Sequence, residues 1–496
     1  MSTSQSATDT GTAPDETGPD TGSATFFGHP RMLANLFFVE MWERFSFYGM
    51  QIILVYYLYY SVADGGLGLD KGAATGVIGA YGGMVYLMAI VGGYLGDKVW
   101  GPERTLFYSA IAIMAGHIAL AIIPDVSGVV VGLILIAVGS GGLKTNASVL
   151  VGSLYDLKDT RRDAGFTIFY MGINIGALLG PLATNFAWDV SGFHLGFGIA
   201  AIGMALGLIQ YWFTRKNLPA SAHHVSNPAS AAEKKKALAA TIAFIVLVVV
   251  MVWVGLITPG NIDTWVIGLI AICAIVLFVI LFRSDKTNET EHSRVKSFVP
   301  LWFGSVLFWS LYQQQFTVMA VYSDTRLNWN IFGMELKPGL FNSIAPLFII
   351  MFGTLFSVMW TKMGEKQPTI VTKFALGLLG AGIAFAIFLF PSGQAIVNVG
   401  WLVGVLFVIT LAELCISPTG TSLATKLAPE AHKSQMMALF WTSLGMGTAI
   451  AGWLAQFYSE ENEVVYFSIM ASASLIGGFA VFFARKPILK MMRGVR

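Results

Sequence analysis

Glu40-Met41-Trp42-Glu43-Arg44-Phe45-Ser46-Phe47-Tyr48-Gly49 sets the architecture of this chain. It lies inside an apolar run at roughly 33–60, longer than the ~20 residues that cross a bilayer. Helical spacing puts Glu40, Glu43, Arg44, Phe47, Tyr48 and Gln51 at i, i+3, i+4, i+7, i+8 and i+11, on one face. A single helix then presents two carboxylates, a guanidinium and two aromatic rings along one stripe, and apolar residues elsewhere. Charge in hydrocarbon costs from about 2.5 to over 10 kcal/mol per group, so such residues face a bundle interior or a water-filled cavity. Two carboxylates one turn apart do not both ionise cheaply, so one is expected to carry a proton. Arg44 stays charged and either pairs with Glu40 or holds an anion. The competing reading is a Glu–Arg pair that only joins helices; it leaves one carboxylate over.

Composition agrees with a membrane setting. Of 496 residues, 55% are hydrophobic and 12% charged, and mean hydropathy is +0.68. Soluble proteins carry about 25% charged residues. The chain reads as an all-α polytopic membrane protein. Its net charge of +2 points to no nucleic-acid partner. Cys273 and Cys415 sit in apolar runs and offer no disulfide framework, and no His or Cys spacing suits a metal. His223-His224 reads as solvated linker. Residues 1–25 are polar with no apolar block, a disordered tail rather than a signal peptide.

Apolar runs follow at roughly 33–60, 73–95, 105–124, 128–151, 164–186, 193–213, 236–257, 263–283, 297–322, 339–361, 369–391, 397–421, 435–457 and 464–485, about fourteen spans. Basic residues fill alternate loops: Lys98 and Arg104; Lys158, Arg161 and Arg162; Arg215, Lys216 and Lys234 to Lys236; Arg283, Lys286, Arg294 and Lys296; Lys362 and Lys366; Lys426 and Lys433; and Arg485 to Arg496. The other loops hold only Lys71, Arg326 and Lys337. The positive-inside rule then puts both termini in the cytoplasm. The loop Gly93-Tyr94-Leu95-Gly96-Asp97-Lys98, followed by Gly101 to Arg104, has a degenerate echo at Trp360 to Lys366. Six spans, two extra and six more make a two-bundle architecture: 1–25 a cytoplasmic tail, 26–214 a first six-helix bundle, 215–296 a linker with two extra helices, 297–486 a second bundle and 487–496 a cytoplasmic tail. The inserted pair carries no intramembrane charge and reads as a lipid-facing accessory.

Further polar residues sit among the spans. Gly139-Ser140-Gly141-Gly142-Leu143-Lys144 combines glycines for close helix approach with a lysine that either holds an anion or snorkels to the interface. Asn174 either orients a polar ligand or bonds between helices. His117 reads as structurally hydrogen-bonded. Glu413 and Ser417 share a face, and Pro418 can unwind their helix beside a cavity. The first half thus supplies Arg44 and Lys144, and the second Glu413. A cavity between the halves is positive on one side and negative on the other, which suits a ligand with a carboxylate at one end and an amine at the other. Tyr48, Tyr86, Trp309 and Trp441 either line that cavity or serve as packing.

These motifs resemble the proton-dependent oligopeptide transporter family within the major facilitator superfamily. The family's first-helix pattern is similar to Glu40 to Gly49. Its other motifs resemble Gly93 to Lys98, the stretch ending at Lys144, Gly172 to Gly176 around Asn174, Glu413 to Pro418, and Phe440-Trp441. The resemblance implies a major facilitator fold and symport of protons with di- and tripeptides. It implies Glu40, Glu43 and Arg44 in proton coupling, and Arg44 with Lys144 near the peptide carboxylate. It places Glu413 with Asn174 near the amine, and Tyr48, Tyr86, Trp309 and Trp441 around the pocket. Gly93, Asp97, Lys98 and Arg104 fall in its conformational loop. No cofactor is implied beyond the proton gradient. The lipid bilayer, protons and a small peptide are the expected partners, with function as a monomer in the cell membrane.

The chain departs from the pattern at Phe47, Gln51, Gln313, Thr145 and Ala345. Relatives commonly pair charges at the Gln51 and Gln313 positions. Losing one alone would strand a buried charge at about 3–5 kcal/mol; losing both predicts a neutral Gln51–Gln313 gate. Asn342 stands one turn before Ala345, where relatives have an asparagine. The rival readings are a carrier of another zwitterion or anion, a proton-driven drug antiporter and a membrane enzyme. No nucleophile paired with a base supports the last.

Overall fold

The structure is a computed structural model that describes residues 26–495 except 156–158, 160, 226, 227 and 332. The tail at 1–25 and the basic residues Lys158 and Arg496 lie outside the described residues. The first bundle comprises α1 (Arg31–Tyr59), α2 (Lys71–Leu95), α3 (Pro102–Ile122), α4 (Asp125–Ser153), α5 (Arg162–Ser191) and α6 (Phe193–Thr214). The inserted pair is α7 (Ala231–Trp253) and α8 (Ile262–Arg283). The second bundle comprises α9 (Glu289–Tyr312), α10 (Val318–Arg326), α11 (Ile344–Met363), α12 (Ile370–Ile387), α13 (Val399–Leu427), α14 (Lys433–Ala455) and α15 (Glu463–Phe483). Twelve described helices are long and apolar enough to cross a membrane. The other two of the fourteen runs form α1 and α9. Both are long enough, but α1 carries Glu40, Glu43 and Arg44, and α9 opens on Glu289, Glu291, Arg294 and Lys296.

The ninth run is not one helix. After α9 the chain tightens into a 3₁₀ turn at Gln313–Phe316, and Thr317 leaves helical geometry at φ −127°, ψ −95° before α10 begins. The break falls on three successive glutamines, two of which bond away to α14 and α15, Gln313 to Thr448 and Gln314 to Tyr466. The last residues also differ from a free tail: α16 (Arg485–Met491) docks on α9, burying Ile488 and Met492, with Ser293 donating to the Met491 carbonyl at 2.7 Å. At the same end His29 meets the Tyr155 hydroxyl at 2.9 Å, Ala229 N donates to Lys98 O at 3.0 Å, and His432 meets Ser284 at 2.6 Å. Both described chain ends and these basic loops therefore gather at one end, called here the inner end. The opposite, outer loops are tied by small ladders: β1 (Leu327–Asn328), β2 (Asn330–Ile331), β3 (Met334–Glu335) and β4 (Val397–Asn398), with β1 parallel to β4 and β2 antiparallel to β3.

The two bundles meet along α2 and α14. A Cβ on Gly79 would lie 2.6 Å from the Gly452 Cα, so the backbones touch and only glycine fits. Across this seam lies α8, which packs on both α2 and α14 and buries Val266, Ile270, Ala274 and Leu281. Its first turn also buries Asp263, which accepts from Gln456 and from Thr264 N. That corrects the reading of the inserted pair: α7 has no buried residue, as a lipid-facing helix requires, whereas α8 is a brace between bundles. His117 is corrected too. It is fully buried on α3, and neither ring nitrogen has a hydrogen-bond partner among the described residues.

Candidate functional site

α1 carries the centre of the site. Its helical spacing brings the Arg44 Nε within 3.0 Å of Glu40 Oε1 and 2.9 Å of Glu43 Oε2. The single Nε–H is directed at Glu40, so the contact with Glu43 is ionic without hydrogen-bond geometry. All three groups are buried. Glu43 Oε1 accepts instead from Ser140 on α4 at 3.0 Å. Ser140 stands one turn before Lys144, on the same face, so its role is open to a spacing argument carried beyond the glycines. Among the described residues Arg44 Nη2 and Glu40 Oε2 have no partner. A buried guanidinium with an unsatisfied nitrogen is a ready anion site.

The Ser140 bond has a measurable consequence. Ser140→Ala removes one donor from Glu43 with little change of volume. Gradient-driven uptake in reconstituted vesicles should fall roughly three- to tenfold, about 1 kcal/mol, while the folded yield stays at the wild-type level. An unchanged rate would take Ser140 out of the coupling machinery.

Lys144 is half-buried and makes no carboxylate pair among the described residues. Its Nζ lies 4.3 Å from the Tyr86 ring centroid and 4.9 Å from that of Trp441. Those two rings stack across the bundle seam at 6.1 Å. The cation is thus held by aromatic faces, pointing inward rather than snorkelling to an interface. The glycines of its motif do as expected: a Cβ on Gly141 would run into the Met88 backbone.

Opposite, α13 presents Glu413. It is buried, Oε2 has no partner among the described residues, and Ser417 stands one turn on, on the same helix face. Pro418 does not unwind the helix: α13 runs unbroken from Val399 to Leu427, with Thr419 bonding back to Cys415 O at 2.8 Å. Tyr48 faces both Arg44 and Glu413, and its ring stacks on Phe316 of the second bundle at 5.9 Å. Tyr170 and Tyr312 also face Glu413 and Tyr48, and the sequence motifs single out neither. Tyr170 shares this interior yet exposes 42% of its surface, so the space between the bundles is open at that level.

Other expected members sit differently. Asn174 turns its amide nitrogen to Tyr170 O, 2.9 Å away on its own helix. Trp309 is buried beside Gly447 with its indole nitrogen unpartnered. Asn342 donates to Gln315 O at 3.4 Å, so it does not stand in for the residue replaced by buried Ala345. The Gln51–Gln313 pair holds no hydrogen bond of its own. Gln51 and Gln313 are buried but make no hydrogen bond to each other; Gln313 donates to Thr448 at 3.2 Å, and both side-chain oxygens lack partners. The Gln313 amide is long enough to reach α14 instead.

In the α2–α3 turn Asp97 and Arg104 are exposed. The engaged residue is Glu103, buried and 2.6 Å from Arg215 Nε, with His223 Nδ1 at 3.4 Å. His223 is therefore not only solvated linker. Its chain segment folds back and buries Leu218, Ala222 and Ala229. Both cysteines are free and half-buried. The described residues hold no group of three or more His, Cys, Asp or Glu that suits a metal ion.

Comparison with known proteins fits this geometry. The family model described as the POT family matches residues 103–474. The uncharacterized transporter YclF of Bacillus subtilis (strain 168) is 42% identical over 477 residues, spanning 95% of this chain and 96% of its own length. A di-/tripeptide transporter of Lactococcus lactis subsp. cremoris is 39% identical over 490 residues, spanning 95% and 98%. The crystal structure of peptide transporter POT in complex with sulfate superposes with a TM-score of 0.91 at 46% identity, covering 95% of this chain and 97% of that one. The matches run through both bundles and include Lys144 and Glu413, so this chain is a multi-pass membrane protein that belongs to the POT family.

Proposed function

We propose that this protein imports di- and tripeptides together with protons, by alternating access to a site between its two bundles. The observation that carries the reading is the pairing of unsatisfied groups. Among the described residues, Arg44 on α1 keeps a guanidinium nitrogen without a partner, and Glu413 on α13 keeps a carboxylate oxygen without one and no cationic side chain bonded to it. A peptide's carboxylate and amine satisfy both at once. The names of the Lactococcus relative and of the solved relative support the substrate class.

In this mechanism a proton from outside reaches Glu40 or Glu43 and weakens their hold on Arg44. The freed guanidinium, with Lys144, binds the peptide carboxylate, and Glu413 binds the amine. A ligand that bridges the bundles favours occlusion. Inside, proton and peptide leave, and Arg44 returns to its carboxylates. No cofactor takes part; the proton gradient drives the cycle. The protein acts as a monomer in the cell membrane with both termini in the cytoplasm, as the basic inner loops favour.

The test is uptake of labelled dialanine into liposomes holding the purified protein, with and without an inward proton gradient. Concentrative uptake under the gradient is the expected result. Efflux driven by the gradient would instead favour the antiporter. A second reading, a different small zwitterion, draws on Ala345 and on Asn342 facing away, which leave the amine end short of an amide. Dialanine that neither enters nor competes would favour it.

A further inference from the structure

At the outer end the two bundles are bonded to each other, yet not by Gln51 and Gln313. Among the contacts that cross there, the charged and least exposed one is made by Asp324 on α10. One carboxylate oxygen accepts from the Tyr59 hydroxyl at 2.6 Å and the other from the Tyr60 hydroxyl at 2.7 Å. Both tyrosines end α1 or directly follow it, so the two bonds join the first bundle to the second. One turn before them Tyr56 donates to Ala320 O at 3.3 Å. Trp188 of α5 backs the group, stacking on Tyr56 at 5.3 Å and meeting Tyr60 edge-on at 5.7 Å.

We propose that Asp324, gripped by the hydroxyls of Tyr59 and Tyr60, is the latch that shuts the outer end, and that a proton reaching it from the outer side releases it. The inference rests on the alternating-access reading above. Short bonds to an ionised carboxylate are charge-assisted and roughly twice as strong as neutral ones. A proton removes that assistance and converts one acceptor oxygen into a donor, so the paired grip is lost or reversed. The ionised form favours closure and the neutral form opening.

The other charges nearby are paired within their own bundle or are exposed. Arg326, two residues on, is committed to Glu463 at 3.0 and 2.9 Å and to Ala395 O at 3.0 Å. Lys337, over the Trp188 ring, also crosses to Asp189 at 3.3 Å, but both side chains are largely exposed and solvent screens the pair. Lys71 lies over the Tyr59 ring at 5.8 Å, and Asp64 faces Tyr60 while bonding Ser61. A proton taken and returned on the outer side crosses nothing. The latch therefore tunes how readily the outer end opens and leaves the stoichiometry to α1.

Spin labels test it in liposomes. They are placed at Val190→Cys on α5 and Asn330→Cys in the outer hairpin, both exposed, with Cys273→Ala and Cys415→Ala. Asp324→Asn should raise the ratio of long to short label distances at least about tenfold, or about 1.4 kcal/mol, and abolish the response to outer acidification. Tyr59→Phe with Tyr60→Phe, which removes only hydroxyls, should reproduce the shift and serves if Asp324→Asn does not fold. Asp64→Asn should leave the distances unchanged. Unaltered distances in both latch variants would overturn the proposal. Dialanine accumulation in the same vesicles reads the substrate separately: a distance shift without uptake keeps the latch and removes the peptide, and uptake without a shift does the reverse.

Discussion

Glu43→Gln should abolish proton-driven accumulation of dialanine while sparing exchange of peptide down its own gradient. With one proton per peptide, an inward gradient of about two pH units supports up to roughly 100-fold accumulation, since each unit is about 1.4 kcal/mol. The variant should fall to a ratio of about one, because glutamine keeps the shape and the Ser140 contact but carries no proton. Counterflow of labelled against unlabelled dialanine then reports whether the site still turns over. Arg44 keeps Glu40 at 3.0 Å, so the α1 stripe has a partner left and the fold should survive. Accumulation at the wild-type level would remove Glu43 from the coupling step and leave Glu40 as the carrier. Loss of both accumulation and exchange would make Glu43 a structural member of the site.

The second large effect belongs to Glu413→Gln. Truncating one partner of a buried, hydrogen-bonded charge pair costs about 2–5 kcal/mol. The half-saturating concentration of dialanine should therefore rise roughly 30-fold or more. The discriminating substrate is N-acetyl-dialanine, which has no amine. The wild type should bind it weakly, and the variant should lose little further, because the interaction that Glu413 provides is already absent. An equal loss for both substrates would mean that Glu413 shapes the cavity without meeting the amine. Among the described residues no cation pairs with Glu413, so none offsets the change.

Much of this site is legible in residue spacing alone. The i, i+3, i+4 spacing of Glu40, Glu43 and Arg44 puts three charges on one helix face, and the fold closes them to within 3.0 Å. Local periodicity is enough for such a cluster, because all its members ride on one rigid helix. The signs of Arg44, Lys144 and Glu413 are readable too, since an ionisable residue inside an apolar run must face an interior. The glycines of the fourth run and the two-bundle order follow in the same way.

Which helices touch is another matter. Nothing local tells Ser140 to meet Glu43 or Gln313 to prefer Thr448, because each bond spans about a hundred residues or more of chain and is chosen by packing. In sequence α8 resembles any lipid-facing helix, since apolar residues suit lipid and protein alike, and only its seat between α2 and α14 separates the two. A histidine inside an apolar run invites a hydrogen-bond partner, yet the packing of α3 against α4 supplies none to His117. Asp324 lies among loop residues in the sequence, and its meaning comes from two tyrosines more than 260 positions away. The membrane class, the helices and the charged stripe thus follow from the amino-acid order, because they are properties of single segments in hydrocarbon. The brace, the partners of each charge and the outer latch emerge only on folding, because they are contacts between segments, and hydrophobic pattern carries no information about which apolar face meets which.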